Sequence, residues 1–186
     1  MIRKSVAALL LTACPVLAED CPPAPDHSAE LDALVEEVQA ATSEREARLV
    51  SNRMWELWAD APNEQAQAVL DRGMQKRASF DLAGAISDFN ILIDYCPAYA
   101  EGYNQRAFVR FIQRDYPSAL TDLERALELS PGHIAARAGL ALTLMQLGQT
   151  DAARSELEAA LERNPWLTER HLMSRGGPLA PEGDDI

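Results

Sequence analysis

A spacing of 34 residues recurs through residues 66–167 and constrains the fold more than any other feature of the chain. Pro97, Pro131 and Pro165 stand 34 residues apart. Three columns of residues repeat at the same step: Gly73, Ala107 and Ala141, then Ala85, Ala119 and Ala153, then Phe89, Leu123 and Leu157. A fixed period of this length with small residues in fixed columns is typical of stacked helical hairpins. The spacing therefore predicts an all-α array of antiparallel hairpins, whose small columns let the two helices of a hairpin approach closely.

Composition and charge narrow the possible functions. Hydrophobic residues make up 47% of the 186-residue chain and charged residues 25%, which favours a buried core over global disorder. The formal net charge is −12. A nucleic-acid partner is disfavoured, because phosphate binding needs clustered Lys and Arg. The acidic balance favours solubility or the attraction of a basic partner.

Residues 1–18 have the pattern of an export signal. Arg3 and Lys4 provide a positive start, an apolar stretch follows, and Ala18 precedes a predicted cleavage site before Glu19. The stretch is too short to span a bilayer as a stable helix. An alternative interpretation takes residues 11–14 as a lipobox that ends in a lipidated Cys14. Both interpretations place the protein in the bacterial envelope, as a periplasmic protein or as a membrane-anchored lipoprotein.

Two cysteines remain after cleavage at Ala18. Cys21 and Cys96 form an even pair, which in an oxidising compartment indicates a disulfide. A bond closing this loop would stabilise the fold by roughly 4 kcal/mol in the chain-entropy model, less any strain. The alternative is a pair of free thiols. The predicted bond would attach the Pro-rich segment 19–27 to the end of a helix.

Helix signals divide the rest of the chain into hairpins. Residues 19–27 are expected to be extended, and residues 28–62 to form a divergent hairpin with helices at about 28–41 and 43–60. The expected first helices of the regular hairpins cover 64–79, 100–113 and 134–147, and the second helices cover 83–95, 117–129 and 151–163. Gly148 suits a left-handed helix end. A capping helix to about residue 174 and a disordered tail over 175–186 complete the prediction.

The residues of the middle hairpin resemble those of a known family. The run Tyr103–Ala107, followed by Asp115, Tyr116, Ala119, Ala126, Leu129 and Pro131, is similar to a common version of the tetratricopeptide repeat. The resemblance covers three repeats, at 66–99, 100–133 and 134–167, with 28–62 as a divergent fourth. It implies a right-handed superhelical array, an α-solenoid, that binds proteins or peptides and is not an enzyme.

The resemblance also implies where a partner would bind. In this family, partners generally lie in a concave groove formed by the first helix of each hairpin. The matching residues here are Leu70, Met74, Arg77, Asn104, Phe108, Phe111, Ala138, Leu142 and Met145. The alternative is that the aromatic and aliphatic members are partly core and that the N-terminal hairpin covers the groove. A clamp of Lys, Arg and Asn for a carboxyl terminus is missing, which favours an apolar or extended partner segment.

Signs of chemistry are weak throughout the chain. His27, His133 and His171 share no metal-ligand spacing and are interpreted as scattered surface residues. Arg72 and Arg106 recur in step, and their favoured interpretation is pairing with nearby carboxylates rather than ligand binding. The leading hypothesis is a non-enzymatic adaptor of the bacterial periplasm without a cofactor. The alternatives are a lipid-anchored assembly factor and, with less support, a small-molecule receptor or an enzyme.

Overall fold

The computed structural model describes residues 20–181, so the predicted export signal, with Cys14, and residues 182–186 lie outside the described residues. The described chain folds into eight α-helices and a 3-10 helix, and no strand occurs within it. The helices are α1 (Ser28–Ala40), α2 (Glu44–Trp58), α3 (Glu64–Ala78), α4 (Leu82–Tyr95), α5 (Ala100–Ile112), α6 (Tyr116–Leu129), α7 (Ile134–Gln146), α8 (Thr150–Arg163) and the 3-10 capping helix (Thr168–Met173). None of these helices combines the length and apolarity needed to cross a membrane.

The predicted all-α array is confirmed, with α3 against α4, α5 against α6 and α7 against α8 as antiparallel hairpins. Successive hairpins also pack on each other through α4 with α5 and α6 with α7. The small columns are buried at the contacts inside each hairpin. A Cβ atom added at Gly73 would lie 2.5 Å from Cε1 of Phe89, so this position admits no side chain while Phe89 keeps its place.

The turns inside the hairpins share one backbone conformation. Phe80, Arg114 and Gly148 have φ angles of 62°, 63° and 75°, and they stand 34 residues apart. Only the third of them is the glycine that a left-handed conformation favours. After the first two turns, the side chains of Asp81 and Asp115 accept hydrogen bonds from the backbone N–H groups of Gly84 and Ser118 and cap α4 and α6.

The N-terminal hairpin does not stack in front of the first regular repeat as a fourth repeat would. Met54 and Trp58 of α2 pack instead in one apolar cluster with Ile134 and Ala138 of α7. Ala160 of α8 and the apolar residues after it complete this cluster. The two helices expected within the divergent hairpin 28–62 do form, as α1 and α2. Their apolar stripe packs on α7 and α8 at the far end of the array.

A disulfide joins the N-terminal segment to the first regular hairpin, as the sequence predicted. Cys21 and Cys96 are bonded, with their Cα atoms 5.2 Å apart. Tyr99, just beyond Cys96, donates a hydrogen bond from its hydroxyl to the backbone oxygen of Trp58 at 2.8 Å. Burial raises the pKa of the Tyr99 phenol, which keeps the hydroxyl protonated as a donor. Both contacts attach the N-terminal hairpin to the junction between α4 and α5.

The chain after the capping helix is more ordered than the sequence predicted. Leu179 is fully buried beside Leu172, and its N–H bonds to the Leu172 oxygen at 3.0 Å. Arg154 of α8 donates from Nε to the Leu179 oxygen at 3.1 Å. The prediction of disorder is therefore wrong for residues 175–181, because Leu179 covers apolar surface at the end of the array.

Candidate binding groove

A cavity of about 340 Å³ opens between the first helices of the second and third regular hairpins. We call it the groove. Its walls come from α5 and α7, and residues of α2 and of the capping segment close its sides. The apolar side chains that line it are Trp55, Phe108, Phe111, Leu142 and Leu167, and the polar ones include Asn104, Thr168 and Glu169. A concave, mostly apolar surface with a few polar groups is the usual form of a binding site.

Five of the nine residues predicted from the resemblance line this cavity. They are Asn104, Phe108, Phe111, Ala138 and Leu142. Phe108 is 50% exposed, which leaves part of its ring accessible from the cavity. Phe111 is held against Tyr116 with ring centroids 5.3 Å apart. The structure thus brings the central part of the predicted surface together.

Three predicted residues lie elsewhere. Leu70 is fully buried in the core between α3 and α4, so a ligand cannot reach it. Met74 packs against the same core, and Met145 packs against the core of the last two hairpins. These side chains face the second helices because α3 and α7 each present a wider apolar stripe to the core than the resemblance implied.

The ninth residue, Arg77, stands at the rim of the groove. Its guanidinium lies over the Phe108 ring, 4.7 Å from the centroid, and Nη1 donates a short hydrogen bond to Oε1 of Gln105. Burial lowers the pKa of Arg77, and the charge of nearby Glu101 opposes this shift without cancelling it. Arg77 is therefore a half-buried cation whose nearest polar partner is an uncharged amide.

A buried carboxylate, Glu101, holds two of the residues that line the groove. Glu101 is 1% exposed and accepts hydrogen bonds from Asn104 Nδ2 at 2.9 Å and from Gln105 Nε2 at 2.5 Å. His133 Nε2 lies 2.8 Å from its Oε2. His133 Nδ1 accepts the backbone N–H of Ala136 at 3.2 Å, so the proton of the neutral ring sits on Nε2 and is donated to Glu101. The buried charge is thus satisfied by three donors.

The interpretation of His133 as a surface residue is wrong. Its ring is 1% exposed and stacks on Trp58 of α2 with centroids 4.2 Å apart. Trp58 in turn meets Trp55 edge to face at 6.5 Å, and Trp55 reaches the groove. The sequence shows both tryptophans in the apolar stripe of α2, but the surface that this stripe meets belongs to a helix 76 residues further along the chain. The periodicity of a sequence does not indicate which distant helix an apolar stripe will contact.

The recurring arginines are paired with carboxylates, as the sequence interpretation favoured. Arg72 bonds Asp88 at 3.0 Å through Nε, and Arg106 bonds Asp122 at 2.6 Å through Nη2. Asp88 also binds Lys76, and Asp122 also binds Arg110. These two cations are again 34 residues apart. Burial raises the pKa of Asp88, but the hydrogen bonds and charges of Arg72 and Lys76 outweigh burial, so the pKa lies below its ordinary value. These cations are held in ion pairs inside the hairpins, where they stabilise the fold.

A second cavity, of about 700 Å³, lies beneath the N-terminal segment. Its charged groups are largely paired with each other, since His27 bonds Asp60 at 2.8 Å and Arg163 bonds Asp32 at 3.1 Å. Among residues 20–181, no three His, Cys, Asp or Glu side chains gather as they would around a metal ion. The groove is the better candidate, because the half-exposed Phe108 ring lies within it.

Comparison with known proteins agrees with this architecture. A family model described as tetratricopeptide repeat matches residues 110–166. Human tetratricopeptide repeat protein 36 is 35% identical over 124 residues, which cover 63% of this chain and 65% of that protein. A TPR repeat-containing protein of Rhizobium etli is 23% identical over 138 residues, covering 73% of this chain and 66% of that protein. The chain thus matches just under two thirds of the length of the human relative.

Solved structures share the fold. The first TPR of Spaghetti (RPAP3), bound to an HSP90 peptide, aligns with a TM-score of 0.58 and 20% identity over 61% of this chain and 91% of that one. The TPR2B domain of yeast Sti1, in a complex with pHsp70, aligns with a TM-score of 0.54 and 21% identity over 61% of this chain and 90% of that one. The hairpin packing and these matches together show that the chain has the superhelical fold of tetratricopeptide repeat structures, with a match to the tetratricopeptide repeat model itself over residues 110–166.

Proposed function

We propose that this protein is a non-enzymatic adaptor of the bacterial periplasm that binds a protein or peptide segment in the groove between α5 and α7. One observation carries the proposal: the Phe108 ring is half exposed inside a concave apolar cavity. A concave, mostly apolar cavity with an accessible aromatic ring and a few polar groups is the form that binding sites usually take. The HSP90 peptide bound to the first TPR of Spaghetti (RPAP3) and the pHsp70 complex of Sti1 support a peptide or protein as the partner class.

The groove also offers the polar groups that an extended segment needs. Asn104 uses its Nδ2 for Glu101, and its Oδ1 makes no bond to another described residue, so the oxygen can accept from a backbone N–H of a bound segment. Thr168 and Glu169 add acceptors at the opposite side. Main-chain hydrogen bonds of this type provide affinity, while the apolar cavity provides selectivity.

Photo-crosslinking from a single position tests the proposal. A photoreactive phenylalanine analogue replaces Phe108 in cells that make the protein, and the matched control carries it at Ile91, which is 49% exposed on α4. We expect adducts of discrete mass from position 108 and none from position 91. Equal labelling from both positions, or none from position 108, would contradict a partner in the groove.

Export is the second part of the proposal. It is supported by the charge and apolar pattern of residues 1–18 and by the Cys21–Cys96 bond, since disulfides persist in oxidising compartments. The mass of the mature chain separates the alternatives. A chain that begins at Glu19 without lipid supports a periplasmic protein, whereas a lipidated chain beginning at Cys14 supports a membrane-anchored assembly factor.

A further inference from the structure

We propose that the groove selects peptides in which an acidic side chain stands two residues from a large apolar one. The carboxylate would pair with Arg77, and the apolar side chain would enter the cavity between Phe108 and Trp55. This inference rests on the proposed function, because it names the class of segment that the same groove takes. Three residues carry it: the cation Arg77, the accessible ring of Phe108, and Trp55, which comes from α2 outside the repeats.

Arg77 differs from the arginines that serve the fold. Arg72 and Arg106 lie on equivalent helices and each binds an aspartate directly. Arg77 forms no ion pair with any carboxylate of residues 20–181 and bonds the amide of Gln105 instead. The Glu101 oxygens near it are already shared by three other donors. A cation held partly out of water beside an uncharged amide is complementary to a carboxylate brought by a ligand.

The contact between Arg77 and Phe108 sets the spacing within the peptide. The Arg77 guanidinium lies 4.7 Å from the Phe108 ring centroid, and the same ring lines the cavity. In an extended peptide, side chains i and i+2 point to the same side and are separated by about 7 Å. A carboxylate at one of these positions can therefore pair with Arg77 while an apolar side chain at the other packs against the Phe108 ring.

The size and walls of the cavity define the apolar residue. An apolar cavity of about 150 Å³ accepts benzene, and the groove encloses about 340 Å³. It therefore has room for an aromatic or branched aliphatic side chain and part of its backbone. Trp55 of α2 contributes an aromatic wall to the same cavity.

One buried network positions both subsites. Arg77 bonds Gln105, Gln105 bonds Glu101, and Glu101 receives the proton of His133. The His133 ring stacks on Trp58, which contacts Trp55. The N-terminal hairpin thus helps to define the ligand that the repeats bind. The net charge of −12 repels acidic ligands at long range, so Arg77 does not speed the association of an acidic peptide. Its role is to fix the register in which the bound peptide lies in the groove.

Selection from a phage-displayed library of random twelve-residue peptides tests the inference. We expect the wild-type protein to enrich Asp or Glu two residues from Phe, Trp, Leu or Met. Arg77→Gln should lose the acidic preference, keep the apolar one, and bind a wild-type-selected peptide at least about tenfold more weakly. Arg45→Gln, which removes an equal charge from an exposed position on α2, should select the same peptides as the wild type.

The outcomes separate the inference from the proposed function. An unchanged acidic preference in Arg77→Gln, or wild-type peptides without acidic residues, would overturn the inference and leave groove binding standing. Peptides that bind Phe108→Ala as tightly as the wild type would overturn both, because binding would then lie outside the groove. A wild-type protein that selects no peptide would also overturn both. Circular dichroism and unfolding midpoints equal to those of the wild type establish that each variant is folded.

A second variant tests the tryptophan wall. Trp55→Ala opens the side of the pocket, so we expect a broader choice of apolar residue and about tenfold weaker binding of the selected peptide. The acidic preference should remain, because Arg77 is untouched. Leu49→Ala, at a 60% exposed position of the same helix, is the control. Identical selections by Trp55→Ala and the wild type would show that α2 takes no part in recognition.

Discussion

At the scale of single residues, the first two regular hairpins contain the same buried arrangement of charges. One aspartate on the second helix, Asp88 or Asp122, receives two cations from the first helix. The side chain of Asp88 is 4% exposed and that of Asp122 is 3% exposed. In the third hairpin the equivalent acid is Glu156, which binds Arg137 instead. The arrangement of one buried acid with two cations is therefore a property of the first two regular hairpins and is not repeated in the third.

Replacing Asp88 by Asn should reduce stability in a pH-dependent way. The pKa of Asp88 is lower in the folded state than in the unfolded chain, so its contribution is present above the unfolded pKa and is lost as pH falls through the folded pKa. We expect the free energy of unfolding at pH 7 to fall by about 1–3 kcal/mol, below the value for a fully buried pair because Arg72 and Lys76 are partly exposed. Urea unfolding at pH 7 and pH 3, followed by circular dichroism, measures the difference.

The control for Asp88→Asn is Glu128→Gln. Glu128 pairs with Arg125 on the surface of α6 and is 65% exposed, so its loss should change stability by less than about 1 kcal/mol at either pH. A difference between Asp88→Asn and the wild type that stays constant from pH 7 to pH 3 would contradict the assignment of the low pKa to the folded state.

At the scale of elements, each regular hairpin pairs one small residue on its first helix with one large residue on its second helix. Gly73 faces Phe89 in the first hairpin, whereas Ala107 and Ala141 occur with Leu123 and Leu157 in the next two. The smaller residue on the first helix thus goes with the larger one on the second. This relation explains why the column that continues with Ala107 and Ala141 begins with a glycine.

Gly73→Ala should destabilise the first hairpin, and Phe89→Leu should restore much of the loss. The added methyl group collides with the Phe89 ring, with an overpacking cost of about 1–3 kcal/mol that exceeds the gain in helix propensity of about 1 kcal/mol. The double variant reproduces the Ala–Leu pair of the other hairpins. A double-mutant cycle by urea unfolding measures the coupling, and additive effects of the two changes would refute the contact as the cause.

The sequence predicted the repeat hairpins well because their determinants lie close together in the chain. Pro97, the small columns and the left-handed position at Gly148 all act within one 34-residue unit. The surroundings of His133 and Trp55 could not be predicted in this way, since both depend on α2 packing against α7. Leu70 was misplaced for a different reason: a helix between two neighbours has a wide apolar face, and the resemblance does not say where the core ends.

At the scale of the whole molecule, the N-terminal hairpin links distant parts of the array. The disulfide fixes the segment before α1 at the end of α4, while α1 and α2 pack on α7, α8 and the residues after them. Polar contacts join the same surfaces, with Gln39 bonding the Glu162 oxygen and Asn164 bonding Ser51. The first and last hairpins therefore depend on the same N-terminal segment.

Reduction of the Cys21–Cys96 bond should lower the stability of the whole chain. The bond spans 75 residues, and chain entropy alone gives about 4 kcal/mol for a loop of this length. We expect the urea midpoint of the purified protein to fall on addition of dithiothreitol. Cys21→Ala, which leaves the buried Cys96 side chain in place, should show a low midpoint that the reductant does not change. A wild-type midpoint equal with and without the reductant would exclude a stabilising role.

The position of the N-terminal hairpin also limits how this protein can change in length. Many repeat proteins grow or shrink by whole units, because each unit contacts only its neighbours. Here Trp166 and Leu167, the residues from which another unit would extend, are packed in the same apolar cluster as α1 and α2. Duplication of the last repeat would move them away from that hairpin and expose its apolar stripe. The number of repeats is therefore set by a contact outside the repeats.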